Sequence, residues 1–193
     1  MNKNKVIEFF DKHADSWDAE MIIFDDIVSR IFDEAEIDKD KDILDVACGT
    51  GVLIPYYLNR NVRSVTAVDI SPKMTEIARS KFSQPNVEII CGDADEYDFG
   101  KKFDCIVIYN AIPHFTDVKK LINHLSEYLK DGGSITVCHG MSRDMINSHH
   151  KYVPSDVSDE LPDIDAMAEN FTSLKNIKKI SDNRMYLVTG YKL

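Results

Sequence analysis

Asp42-Ile-Leu-Asp-Val-Ala-Cys-Gly-Thr-Gly-Val-Leu-Ile54 is the stretch whose reading decides the fold. Ile43, Leu44, Val46 and Ala47 make an apolar run with the length of a short buried strand, which stops at Gly49-Thr-Gly51 and resumes as a helical pattern from Val52. The reading is strand, tight glycine turn, helix. Such a turn aims backbone N–H groups and the positive end of a helix at an anionic or polar guest. Glycine keeps the left-handed backbone and close approach open, because a Cβ would block both.

Downstream, strand-like and helix-like runs alternate. Strands are expected at 42–47, 64–70, 87–91, 103–109 and 133–138, with helices at 51–60, 72–83 and 117–130 and an irregular crossover at 93–102. Ser71-Pro72 opens the second helix with an N-cap and a first-turn proline, and Gly132-Gly133 is expected to end the third. Residues 174–181 and 185–191 read as a hairpin turning at Asp182-Asn183, and a weak helix precedes them at 163–171. Regular alternation implies a mainly parallel sheet covered on both faces. Between the fifth strand and the hairpin, residues 139–163 are polar and rich in histidine and proline, with a turn or two of helix at 143–150. They are expected to form a lid-like insertion over one edge of the sheet.

Upstream, residues 4–35 read as a helical cover occupying the first 40 positions, with a polar joint at Asp11-Lys-His-Ala-Asp-Ser-Trp-Asp18. Trp17, the only tryptophan, fits a packing anchor as well as a functional residue. The 193 residues suit one domain. Thirty-three acidic residues against 23 basic ones give a net charge of −10, which argues against a nucleic-acid partner. No apolar run is long enough to cross a membrane and no export signal is visible, so a cytoplasmic protein is expected. The four cysteines lack close spacing and lie in or just after strand-like runs, as buried reduced thiols would.

In an open α/β sheet, ligands bind beyond the carboxyl ends of the strands. Those ends carry Ala47-Cys-Gly-Thr-Gly51, Asp69, Gly92-Asp93-Ala94, Asn110-Ala-Ile-Pro-His114 and His139. Asp69 follows Gly51 by 18 residues, where a carboxylate would accept both hydroxyls of a ribose. Asp93 would take a hydrogen bond from an adenine amino group, although Asp95, Glu96 and Asp98 also suit a solvated acidic loop. A dinucleotide fingerprint needs a third glycine three residues beyond the second. Ile54 or Val52 stands there instead, which removes most of the case for a nicotinamide.

These residues resemble the class I methyltransferases that use S-adenosylmethionine. The family's glycine motif stands here as Asp45-Val-Ala-Cys-Gly-Thr-Gly51, with Ala47 where the first glycine usually is. The resemblance covers 42–193 and implies a Rossmann-like, seven-stranded, mostly parallel α/β sheet with an antiparallel last strand and helices on both faces. Phe9-Phe-Asp-Lys-His-Ala-Asp-Ser-Trp-Asp18 is similar to the F-D-x-x-A-x-x-Y-D segment of relatives of the quinone-biosynthesis C-methyltransferases, with Trp17 in place of tyrosine. By that likeness Trp17 closes over the cofactor. The implied cofactor is S-adenosyl-L-methionine, bound by Trp17, Asp45, Ala47, Cys48, Gly49, Gly51, Asp69, Ile70, Asp93, Ala94 and Asn110.

Methyl transfer is an in-line displacement, so positioning dominates and a base is needed only for an acceptor that loses a proton. His114 and His139 are the catalytic candidates, and His114 fits a backbone-bonded loop histidine equally well. His139, His149 and His150 could instead converge on a metal, although their spacing matches no recognised ligand set. The expected function is methyl transfer to a small-molecule acceptor, with a homodimer completing the acceptor site as one arrangement. The alternatives are a metal-dependent variant and a nucleoside-binding regulatory module that transfers nothing.

Overall fold

The computed structural model describes all 193 residues. Its elements are α1 (Lys3–Glu20), α2 (Asp25–Glu34), β1 (Asp42–Val46), α3 (Ile54–Asn59), β2 (Ser64–Asp69), α4 (Pro72–Lys81), β3 (Val87–Cys91), β4 (Phe103–Tyr109), α5 (Val118–Ser126), β5 (Leu129–His139), α6 (Arg143–His150), α7 (Ile164–Ala168), β6 (Lys175–Ser181) and β7 (Tyr186–Tyr191). The strands form one seven-stranded sheet in the order β3-β2-β1-β4-β5-β7-β6. Only β7 runs against the rest, paired antiparallel to both β5 and β6. The strand order reverses at β1, which pairs in parallel with β2 on one side and β4 on the other.

The period-2 alternation of the strands sorts their side chains into two cores. Leu44, Val46, Ile106, Ile108, Ile135 and Val137 face one layer, where Leu121, Ile122 and Leu125 of α5 cover them. Ile43, Cys105, Val107 and Leu187 face the other, under Ile27, Val28, Ile31 and Phe32 of α2 and Tyr57 of α3. Phe32 stacks on Tyr57 with ring centroids 4.8 Å apart. Each fully buried aliphatic or aromatic side chain contributes about 1.5–3 kcal/mol, so both helical layers are fixed by the central strands. No helix is long and apolar enough to cross a membrane.

Ser71 caps α4 as expected, its hydroxyl accepting from Met74 N at 3.1 Å. Three local expectations are corrected. The polar stretch 11–18 is not a joint: α1 runs through it, and the break falls at 21–24. Its polar side chains are contacts to other elements rather than loop residues. Gly132-Gly133 does not end a helix, because α5 stops at Ser126 and the glycines lie inside β5. Leu129 already pairs with Phe103, and the register shifts between Phe103 and Cys105, so tertiary pairing outweighs the local glycine signal. Finally, all four cysteines are free but Cys91 is exposed, because β3 is an edge strand.

Candidate functional site

A cavity of about 170 Å³ opens over the carboxyl ends of β1, β2, β3 and β4. Its floor is the turn after β1. Ala47, Gly49 and Gly51 there adopt φ of 56°, 55° and 83°, so alternate residues are left-handed and the backbone coils tightly. Gly51 sits in the packing rather than at the cavity: a Cβ on it would lie 2.7 Å from the Phe82 ring and 2.9 Å from Ile54 Cδ1. Gly49 faces the cavity beneath the Trp17 indole nitrogen, which would lie 3.8 Å from a Cβ on Gly49.

Asp69 joins two loops. One carboxylate oxygen accepts from Gly49 N at 2.8 Å and the other from Ser71 N at 2.9 Å. Burial raises its pKa, while the two backbone donors favour the charged form. An ionised carboxylate has about four lone-pair positions, so about two stay free toward the cavity.

Beyond β3, Asp93 and Asp95 share one cation. Lys3 Nζ, reaching over from α1, bonds to both, at 2.9 Å from Asp95 Oδ2. Asp95 Oδ1 is buried and has no partner. The rest of α1 follows the same line across the strand ends. Asp11 accepts from the Ser71 hydroxyl at 2.6 Å and from Lys73 N at 3.1 Å. Asp18 accepts from the Thr50 hydroxyl and pairs with Lys81 Nζ at 2.7 Å. Thus α1 roofs the cavity, its Phe10 and Trp17 rings meeting edge to face at 5.3 Å.

Opposite the glycine turn, Asn110 is left-handed with φ 53°, a conformation that asparagine tolerates better than most residues. Its Oδ1 accepts from Gly140 N at 3.0 Å, tying the end of β4 to the end of β5. His114 follows in a single 3-10 turn, Ile112–His114, and lines the cavity with its ring 4.9 Å from that of Phe10. Its Nδ1 lies 3.0 Å from the Val157 carbonyl, which can only accept. The proton is therefore on Nδ1 and the Nε2 lone pair is free. Burial lowers its pKa to about 4, so the ring is neutral at physiological pH.

Of the residues expected at the cofactor, Trp17, Ala47, Cys48, Gly49, Asp69, Ile70, Asp93, Ala94 and Asn110 line this one cavity. Asp45 and Gly51, also expected at the cofactor, lie outside its wall. Asp45 is buried below the turn, and burial, with the Asp69 charge adding, pushes its carboxyl up to about 8. His139 is also outside the cavity wall, fully buried with neither ring nitrogen partnered. The metal idea is corrected too. His149 is exposed, His150 Nδ1 is 2.6 Å from Ser158 Oγ, and no three His, Cys, Asp or Glu side chains group in a way that could hold a metal. Lys3, Phe10, Met74 and Asp95 line the cavity without having been expected there. The signal for Phe10 was its place in the Phe10-Asp11 likeness that also carries Trp17, and the signal for Asp95 was the acidic run after Gly92.

The region 43–133 matches a family described as a methyltransferase domain, and these residues include the glycine turn, Asp69, Asp93 and His114. Residues 43–133 are thus a methyltransferase domain of the class I, S-adenosylmethionine-dependent kind. This methyltransferase is 33% identical over 138 residues to a malonyl-[acyl-carrier protein] O-methyltransferase of Acetivibrio thermocellus, a match covering 69% of this chain and 48% of that one. It spans about half the length of several of the curated relatives it matches. Among solved structures it superposes with TM-score 0.79 on a chain of the complex between the Haloferax volcanii Trm112 methyltransferase activator and its methyltransferase, at 16% identity and 96% coverage of both chains. A DhpI–SAH complex gives TM-score 0.75 at 17% identity, covering 97% of this methyltransferase and 95% of that chain. These structural likenesses concern the fold.

The residues on the cavity wall fit the family's cofactor. Asp69 keeps free lone pairs for two hydroxyls, Asp95 Oδ1 is a buried acceptor without a donor, and Gly49 keeps the turn clear of side chain beneath Trp17.

Proposed function

We propose that this methyltransferase transfers a methyl group from S-adenosylmethionine to a small-molecule acceptor. When bound, the cofactor supplies a methyl on a sulfonium, open to in-line displacement. Asp69 would hold the ribose hydroxyls, Asp93 and Asp95 the adenine amino group, and the turn at 47–49 would leave room for the amino-acid end. Phe10 and Trp17 offer aromatic faces, which attract a cation such as a sulfonium. Neutral His114 presents its Nε2 lone pair and would receive the proton that a hydroxyl or amine acceptor sheds. Most of the work assigned to these residues is alignment, since holding reactants in a near-attack geometry can supply about 7–11 kcal/mol of a barrier.

The observation that carries the small-acceptor reading is the cation count of the cavity. Lys3 is the only lysine or arginine on its wall, and it is committed to Asp93 and Asp95. The relatives named for a malonyl-[acyl-carrier protein] act on a substrate with a carboxylate; such a group would find no free counter-charge here, and leaving it unpaired is costly. A roofed, mostly apolar wall suits a compact neutral acceptor instead.

The test supplies methyl-labelled S-adenosylmethionine with a cell extract separated into metabolite and protein fractions. Label in a small molecule, with S-adenosylhomocysteine formed in step, is expected. Label confined to protein would overturn the acceptor class, and absence of S-adenosylhomocysteine with either fraction would overturn transfer itself.

A further inference from the structure

Three imidazoles from separate elements stand around the His114 edge of the cavity. His114 closes the turn after β4, His139 ends β5, and His150 ends α6. The rings of His114 and His150 lie 5.3 Å apart, tilted by 35°. His139 directly precedes Gly140, whose N–H is bonded to Asn110, so it stands beside the start of the turn that carries His114. The segment after α6 holds the group together. Val157 takes the Nδ1 proton of His114, Ser158 sits against Nδ1 of His150, and Asp159 N donates to the Pro113 carbonyl at 2.8 Å.

The proton inventory of this cluster is unusual. Ser158 Oγ lies 2.6 Å from His150 Nδ1 and 3.3 Å from the Asp159 carbonyl, which fixes the His150 ring in place. His114 donates from Nδ1 to Val157 and keeps a bare Nε2. His139 has one N–H and one lone pair, both buried and both without partners. Leaving a buried donor and acceptor unmade costs about 1–3 kcal/mol each, so the fold keeps an unpaired imidazole where phenylalanine or leucine would be cheaper. One lone pair on His114 and one amphoteric His139 ring give two acceptors against one donor. No lysine, arginine or carboxylate side chain is hydrogen-bonded to any of the three rings.

We propose that His114, His139 and His150 form a polar subsite for the methyl acceptor, selective for a neutral ligand that donates a hydrogen bond, a hydroxyl above all. The proposal rests on the methyl-transfer reading for its purpose. His114 is reached from the cavity directly. His139 is buried beside that turn, and displacement of the 157–159 strap bonded to His114, His150 and Pro113 would admit the ligand to it. A carboxylate would face lone pairs and be excluded, whereas a hydroxyl would satisfy His114 or His139 as donor and take the His139 N–H as acceptor.

The experiment uses the full chain with histidine nitrogens labelled with 15N, saturated with S-adenosylhomocysteine, and titrated separately with phenol and benzoate while imidazole 15N shifts are read. Phenol is expected to bind and to move the Nε2 resonance of His114 and both nitrogens of His139, while benzoate binds at least tenfold more weakly. His139→Phe should weaken phenol at least tenfold with S-adenosylhomocysteine affinity unchanged, and His139→Gln, which restores a polar group should phenylalanine not fold, should recover part of the loss. Benzoate binding as well as phenol overturns the ligand class. Phenol that fails to bind, that binds His139→Phe equally well, or that leaves the His139 nitrogens unmoved overturns the subsite. If S-adenosylhomocysteine fails to bind while phenol shifts these rings, the cofactor reading falls and the subsite stands.

Discussion

Replacing His139 by phenylalanine should change how stability depends on pH, by an amount that follows from burial. An unfolded histidine titrates near 6.5. In the native protein, burial first and then the neighbouring His150 and His114 lower the His139 pKa to about 3. Because the native value lies below the unfolded one, the unfolded chain takes up the proton first as pH falls. The contribution of His139 to stability is intact above about pH 6.5 and is lost progressively as the pH falls toward about 3. At pH 5.0 the unfolded state is favoured by roughly 1.5 pKa units, or about 2 kcal/mol, relative to pH 7.5. Phenylalanine carries no such proton. Urea unfolding of both proteins at pH 7.5 and 5.0 should therefore show His139→Phe gaining about 2 kcal/mol on the wild type over that interval, whatever its packing cost at either pH. In a chain of this length that corresponds to roughly 4–8 °C in relative Tm. Comparing the two proteins cancels the titration of all other groups, including Asp45. A difference that stays constant within about 0.5 kcal/mol would refute the reasoning, since His139 would then be partnered or charged in the native state.

Gly51→Ala places a Cβ against Phe82 and Ile54 at a left-handed φ, and should destabilise by more than about 2 kcal/mol in denaturant unfolding; a loss under 1 kcal/mol would show that the turn has room. Asp45, pushed up to about 8, is protonated at neutral pH and lies off the cavity. Asp45→Asn should therefore keep S-adenosylhomocysteine affinity within about threefold by calorimetry, and a tenfold loss (about 1.4 kcal/mol) would restore a cofactor role to it. Asp69→Ala should weaken the same ligand at least tenfold, about 1.4 kcal/mol or more, and unchanged affinity would refute the ribose assignment. Ala47→Gly relieves a left-handed alanine and should be neutral to about 1 kcal/mol stabilising by thermal melting; destabilisation would mean that the methyl packs favourably.

The architecture was legible because its signals are local. Each central strand is an apolar run, Ser71-Pro72 marks a helix start, and the glycine turn with Asp69 stands at a fixed spacing. Misreadings arose where distant contacts set the local structure. Asp11 and Asp18 look like loop residues until Ser71 and Lys81 are brought against them, and Gly132-Gly133 looks like a helix stop until Phe103 claims Leu129. The histidines show the same limit. Proximity in the chain grouped His139 with His149 and His150, but helical geometry turns His149 out to solvent and the fold supplies His114 in its place. Lys3 carried no signal at all, since its partners lie 90 residues or more away.

That separation has a kinetic meaning. The ties of α1 to Asp93, Ser71 and Thr50 span 90, 60 and 32 residues, yet the helix buries only Val6 and Ala14 and adds nothing to either core. Contacts that distant form late in folding and, being mostly polar and near the surface, are released early. The roof of the cavity is thus an independent opening unit docked on a finished sheet. Its backbone amides should exchange with deuterium well ahead of those of β1 and β4, so the cavity can open on this side while the sheet beneath stays folded.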